Sequence, residues 1–149
     1  MNDITYMKRA LALANEAASL GEIPVGAVMV DASGSIIGEG YNQTISHSDP
    51  TAHAEIVALR KACLSINNHR LLDATLYVTL EPCPMCAGAL IQSRIKRLVF
   101  SCRDFKSGAC GSVVNIVNGL ASNHAICLDE GLLADQSSRL LTQFFDSKR

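Results

Sequence analysis

The stretch TLYVTLEPCPMCAGALIQSRIKRLVFS, residues 75–101, decides the architecture. Thr75 to Leu80 alternates β-branched or aromatic residues with Leu and Val, a pattern that predicts a strand. Pro84 suits the first turn of a helix, where its missing N–H costs nothing, and residues 84–93 continue as that helix. Arg97 to Ser101 predicts a second strand. Strand, helix and strand in this order imply two parallel strands joined by a right-handed crossover.

Upstream, Tyr6, Met7, Ala10, Leu11, Ala14, Ala17 and Ala18 fall at helical spacing over residues 5–20, with Gly21 as the stop. Val25 to Val30 and then Ile36-Ile37 predict two strands around a turn at Asp31-Ala32-Ser33-Gly34. Asp49-Pro50-Thr51 is a helix-start signal, with the helix expected over residues 52–64. Downstream, residues 102–112 read as irregular, with Gly108 and Gly111. His124 to Leu128 is expected as an edge strand. Leu132 to Phe145 is expected as an amphipathic helix, its apolar residues including Leu140, Leu141, Phe144 and Phe145. Interleaved strands and helices give an α/β sandwich around a mixed sheet. The chain has 149 residues and neither a repeat nor a Pro/Gly-rich linker, so one domain over residues 1–149 is expected.

A hydrophobic fraction of 48% against 18% charged residues excludes a disordered chain. The net charge of -1 and pI near 6.4 do not advertise nucleic-acid binding, so any such role must rest on a local patch. Arg94, Lys96, Arg97, Arg103 and Lys106 form a candidate, with Asp104 the one acid among them, and such a cluster could anchor phosphates. Phe144 and Phe145 lie on the apolar stripe of the last helix, which favours core packing for at least one of them. Beside Lys148-Arg149 they could instead stack unpaired bases. Lys8 and Arg9 precede an apolar stretch, Ala10 to Ala14, that Asn15 and Glu16 end too early for a secretory signal. No run reaches the ~18 residues of a membrane helix. A cytoplasmic protein with reduced thiols is expected, and its six Cys are then searched for metal or catalytic use.

Two segments answer that search: His53-Ala54-Glu55 and Pro82-Cys83-Pro84-Met85-Cys86, each opening a predicted helix. Singly, each residue has an ordinary reading. His53 could cap or pack, Glu55 could be a first-turn surface acid, and the cysteines could be buried thiols or a redox pair. Together they make a pattern. Cys83 and Cys86 are three apart, so both sulfurs face one side of a first helical turn, at the dipole end that favours thiolates. Two thiolates and one imidazole are three zinc ligands, the number that leaves a fourth position for water. Cys63, Cys102, Cys110 and Cys127 are scattered and supply no second C-x-x-C for a closed structural site. Glu55 stands where it could move a proton to and from that water. H-x-E followed by P-C-x-x-C is the established signature of zinc-dependent deaminases acting on bases.

The sequence resembles the bacterial tRNA adenosine deaminases of the cytidine-deaminase-like superfamily. The resemblance spans nearly the whole chain. It is carried by Glu22 to Val28, Asp49 to Ile56, Leu76 to Ala89, Ser93 to Ile95 and Arg103 to Gly108. It implies a three-layer α/β/α sandwich around a mixed five-stranded sheet. It implies one Zn2+ per chain on His53, Cys83 and Cys86, zinc-bound water attacking C6 of a flipped adenine, and Glu55 as proton shuttle. It further implies a homodimer, a tRNA anticodon stem-loop as substrate, and inosine at the first anticodon position as product. Asn42 falls where the family holds the flipped base, and Asp104 and Lys106 fall in its substrate-contacting loop. The P-C-P-M-C form is also similar to deaminases of free guanine or cytosine, which leaves a small-molecule substrate as the alternative. A zinc-stabilised scaffold without turnover is a third reading, and it has no use for Glu55.

Overall fold

A computed structural model describes residues 2–119 and 124–148. The elements are α1 (Asp3–Ser19), β1 (Gly26–Val30), β2 (Ile36–Tyr41), α2 (Ala54–Ile66), β3 (Thr75–Leu80), α3 (Pro84–Ser93), β4 (Arg97–Cys102), β5 (Cys127–Glu130) and α4 (Ala134–Asp146). The strands form one sheet in the order β2-β1-β3-β4-β5. β1 pairs antiparallel with β2 and β3, whereas β3–β4 and β4–β5 are parallel, so the sheet is mixed. The parallel β3–α3–β4 unit expected from residues 75–101 is present with the anticipated helix limits.

The apolar run of β1 is buried at every position because both faces of the sheet are covered. Ala27 and Met29 face a cluster that holds Ala54, Ala58 and Ala62 of α2 and Ala87, Leu90 and Ile91 of α3. Val28 and Val30 face the opposite cluster, with Tyr6, Met7, Ala10 and Leu13 of α1. α4 packs on β3, β4 and α1. The result is the three-layer arrangement with α2 and α3 on one side.

The close approach of α2 to the sheet depends on β2. A Cβ on Gly40 would stand 2.6 Å from the Ala54 carbonyl oxygen, so only glycine lets the first turn of α2 settle against this strand. That contact places the start of α2, and with it His53 and Glu55.

Three sequence expectations shift. α2 begins at Ala54 rather than residue 52, because His53 is its extended N-cap (φ -70, ψ 154). The edge strand expected at His124 to Leu128 runs instead from Cys127 to Glu130. Its last residues, Asp129 and Glu130, are polar because they pair with Arg97 and Arg103, and a search for apolar residues misses them. Leu132 and Leu133 pack against the α1-side cluster before α4 starts. Among the described residues, no helix is long and apolar enough to cross a membrane.

Candidate active site

Two helix starts meet at the carboxyl end of β3. Cys83 is the N-cap of α3, held extended (φ -75, ψ 173) ahead of Pro84, and Cys86 lies fully buried in the first turn. His53 occupies the N-cap position of α2 without a side-chain capping bond, and α2 packs against α3. His53 Nδ1 stands 3.6 Å from Cys83 Sγ and 3.6 Å from Cys86 Sγ. The three ligand atoms lie within 4.8 Å of one another. Zinc–sulfur and zinc–nitrogen bonds of about 2.3 and 2.0–2.1 Å at a tetrahedral angle require nitrogen and sulfur about 3.5 Å apart. The donor set therefore fits zinc in both chemistry and spacing. The six cysteines form no disulfide.

The hydrogen bond from the Cys86 thiol, with one from His53, holds Cys83 well below the usual thiol range, at about 4, against the opposing effect of burial. Cys86 is pushed up because it donates that bond and is buried. His53 is raised, first by its hydrogen bond to Cys83. Glu55, on the first turn of α2, is 4% exposed, and burial pushes its carboxyl up to about 7. A carboxyl so placed can hold a proton or release it near neutrality.

His53, Glu55 and Cys83 line a pocket of about 200 Å³, together with Asn42, Asp104 and Ser107 among others, and Cys86 is buried outside its lining. The volume is below the 300–1,000 Å³ of drug-sized ligand sites, so it suits a base more than a whole nucleotide. Asn42 Oδ1 accepts from the Ala54 N–H at 2.8 Å. An N–H donor on that atom fixes which side is oxygen, so the Asn42 amide N–H groups are the ones left for a substrate. The Asp104 carboxylate is spent on its own loop, where it accepts from the backbone N–H of Lys106 and Ser107 and from the Ser107 hydroxyl. Lys106 does not reach the pocket. It lines an adjoining groove of about 430 Å³, together with Phe105, Leu141 and Phe145.

Glu22 and Glu81, which no motif in the sequence singles out, are central to this geometry. Glu22, 1% exposed, accepts from the Ile45 and Ser46 N–H and from the Ser46 and Thr44 hydroxyls, and so ties down one wall. Glu81, 2% exposed, ties down the other. For Glu81 the available signal was an acid directly following a buried strand, a placement that demands hydrogen-bond partners.

The expected basic patch does not exist as a patch. Arg97 forms a bidentate pair with Asp3 and a further bond to Asp129 at the amino end of β4. Arg103 pairs with Glu130 through two bonds of 2.8 and 2.7 Å. Nor is either terminal aromatic a core residue. Phe145 is 45% exposed in the groove, and Phe144 packs edge-on against it beneath Lys148, 5.2 Å from the ring centre. Arg149 of the expected basic end lies outside the described residues.

Fold and pocket together define a zinc-dependent deaminase. Residues 1–102 match the family model for the cytidine and deoxycytidylate deaminase zinc-binding region. A tRNA-specific adenosine deaminase of Haemophilus influenzae is 54% identical over 147 residues, 99% of this chain and 85% of that relative. Its counterpart in Bacillus subtilis is 40% identical, over 99% of this chain and 91% of the relative. A solved structure from work on A-to-I editing by tRNA:A34 deaminases at the wobble position of transfer RNA matches with a TM-score of 0.89 and 41% identity. The match covers 92% of this chain and 99% of that one. A guanine deaminase from Nitrosomonas europaea matches with a TM-score of 0.84 and 28% identity, over 96% of this chain and 84% of its own. The chain belongs to the cytidine and deoxycytidylate deaminase zinc-binding family, on the branch of the tRNA-specific adenosine deaminases. One Zn2+ per chain is its cofactor.

Proposed function

We propose that this protein is a cytoplasmic, homodimeric enzyme that hydrolyses adenosine to inosine in tRNA, at the first anticodon position, with residues 1–149 acting as one deaminase domain. The observation that carries the reading is a base-sized pocket, lined by Glu55 and by the metal donors His53 and Cys83, that opens into a wide groove bearing Phe105, Phe145 and Lys106. A free base needs only the pocket. A flipped base that remains attached to a polymer needs the groove as well.

His53 Nδ1, Cys83 Sγ and Cys86 Sγ would hold zinc, which would supply Lewis-acid activation of water. Glu55 accepts the proton as water adds to C6 of the adenine, and delivers it to N1. Glu55 then takes the proton of the hydroxyl now on C6 and passes it to the amino group, so that C6 becomes a carbonyl as the C6–N bond breaks and ammonia leaves. Asn42 orients the base through its amide, held in place by the Ala54 N–H. Lys106 offers a cation to the RNA backbone outside the pocket. Asp104 shapes the loop that presents Lys106. The homodimer is supported by the family resemblance, and a monomer mass that does not change with concentration would remove it.

The test compares inosine formation and ammonia release on an adenosine-containing anticodon stem-loop with turnover of free guanine, cytosine, adenosine and cytidine. Inosine in the stem-loop alone is the expected result. Turnover of a free base alone would move the protein to nucleobase chemistry and remove the RNA claims.

A further inference from the structure

Glu81 follows the last residue of β3 and precedes Pro82-Cys83. Its own N–H continues the sheet by donating to the Cys102 carbonyl at 2.9 Å, so its backbone is fixed to β4. Its side chain is buried, and among the described residues no Lys or Arg forms an ion pair with it, Arg103 being paired with Glu130. Both carboxylate oxygens are instead filled by donors from one segment. Oε1 accepts from the Asp104 N–H at 3.1 Å and from the Ser112 hydroxyl. Oε2 accepts from the Cys110 N–H at 2.9 Å and from the Ser112 N–H at 3.1 Å.

Gly108 completes the cradle. A Cβ there would stand 2.4 Å from the Glu81 carboxyl carbon and 2.5 Å from the Asp104 carbonyl oxygen. The segment is also tied to the residue before Cys83, through the Ala109 N–H donating to the Pro82 carbonyl at 2.9 Å. A buried carboxylate is costly unless its hydrogen bonds are complete, and here four donors complete them. The donors span residues 104–112, and the part of that segment facing outward carries Asp104, Lys106 and Ser107 on the rim of the pocket and its groove.

We infer that Glu81 is a positioning residue that locks the rim segment 104–112 onto the Cys83 end of the pocket and thereby sets how well the polymer substrate is held. The inference rests on the RNA reading above for its substrate and on the hydrogen-bond geometry alone for the lock. Glu81 touches no reacting atom in this role. It works through Asp104, Cys110 and Ser112, and through the shape it imposes between them.

Glu81→Gln keeps the size but turns one acceptor into a donor facing backbone N–H groups. Gly108→Ala strains the same cradle from the other side and leaves Glu81 intact. Either variant is expected to retain one zinc per chain and to speed amide hydrogen exchange within residues 104–112 without speeding it in α2 or α3. Each should also raise KM for the stem-loop about tenfold while kcat falls less. Ser112→Ala removes only the hydroxyl and serves as the milder variant, with an expected rise of about threefold. Loss of zinc and of melting temperature in step with kcat, with KM unchanged, would make Glu81 a plain structural strut and overturn the inference. So would exchange and kinetics identical to the unmodified protein. Should the unmodified protein turn over a free base and not the stem-loop, the RNA reading fails by itself. The exchange measurement still decides the lock.

Discussion

Strand β4 carries basic residues at both ends, and the two ends behave differently. Arg94, Lys96 and Arg97 cluster at its amino end, and Arg103 and Lys106 follow its carboxyl end. In sequence they form one cationic stretch. In space the strand separates them by about 20 Å, six residues at 3.3 Å each. Because β3 and β4 run parallel, the metal donors after β3 share the carboxyl end with Arg103 and Lys106. The amino end is built as a brace. Arg97 joins Asp3 of α1 to Asp129 of β5, and the Tyr77 hydroxyl also donates to Asp3 at 2.6 Å. Arg94 sits in a left-handed C-cap that ends α3 (φ 61). Charges adjacent along a strand's sequence thus brace the fold at one end, through Arg97, while at the other Arg103 pairs with Glu130 and Lys106 lines the groove beside the pocket.

Substitutions can break this division, and the largest effects belong to the pocket end. Cys83→Ala or Cys86→Ala should reduce metal content from one zinc per chain to none and abolish turnover, as read by metal analysis of purified protein. Glu55→Gln should retain zinc and fold while kcat drops by about 10²–10⁴-fold. Full activity in that variant would refute the proton-shuttle role. Lys106→Ala should weaken stem-loop binding and lower the slope of log affinity against log salt by about one. Lys96→Ala, one of the cations at the far end, should leave both affinity and slope unchanged. Equal losses from the two lysines would show that the RNA reaches both ends and would end the comparison.

The smallest effect is one of stability at the brace. Asp3→Asn should cost at most about 1 kcal/mol, because the pair is partly exposed and solvent screens it. The Arg97 hydrogen bonds hold the Asp3 carboxyl at about 2, below its ordinary 3.8. A depressed folded-state value means that the stabilisation is complete above the unfolded-state value and is lost as pH falls through the folded one. The gap in melting temperature between Asp3→Asn and the unmodified protein should therefore be full at neutral pH and close between about pH 4 and pH 2. A gap independent of pH would assign the brace to packing instead of charge.

Much of this was legible along the chain because it is encoded locally. The start of the 84–93 helix follows from Pro84, and the structure ends it with a left-handed C-cap at Arg94. The β1 run is apolar throughout because both its faces are covered. α2 starts two residues later than residue 52 because the Asp49-Pro50-Thr51 signal belongs to a turn. There Asp49 Oδ1 accepts from the Thr51 N–H, and the helix N-terminus is capped instead by Asn42, from a distant part of the chain. The edge strand was displaced because ion pairing, not hydrophobicity, selects its last residues.

The sequence by itself determined the chemistry. Spacing within a helical turn puts two thiols on one side, and an acid two residues after a histidine shares its helix start. Both are short-range facts of backbone geometry. Only the tertiary structure decided which charges face the pocket, that Phe145 lines a groove rather than the core, and that Glu22 and Glu81 hold the two walls. Each of those depends on partners 20 or more residues apart, such as Glu81 with Asp104 and Ser112, which no local pattern records. Burial of a carboxylate makes its partners obligatory, but their identity emerges only when the sheet brings the two segments together.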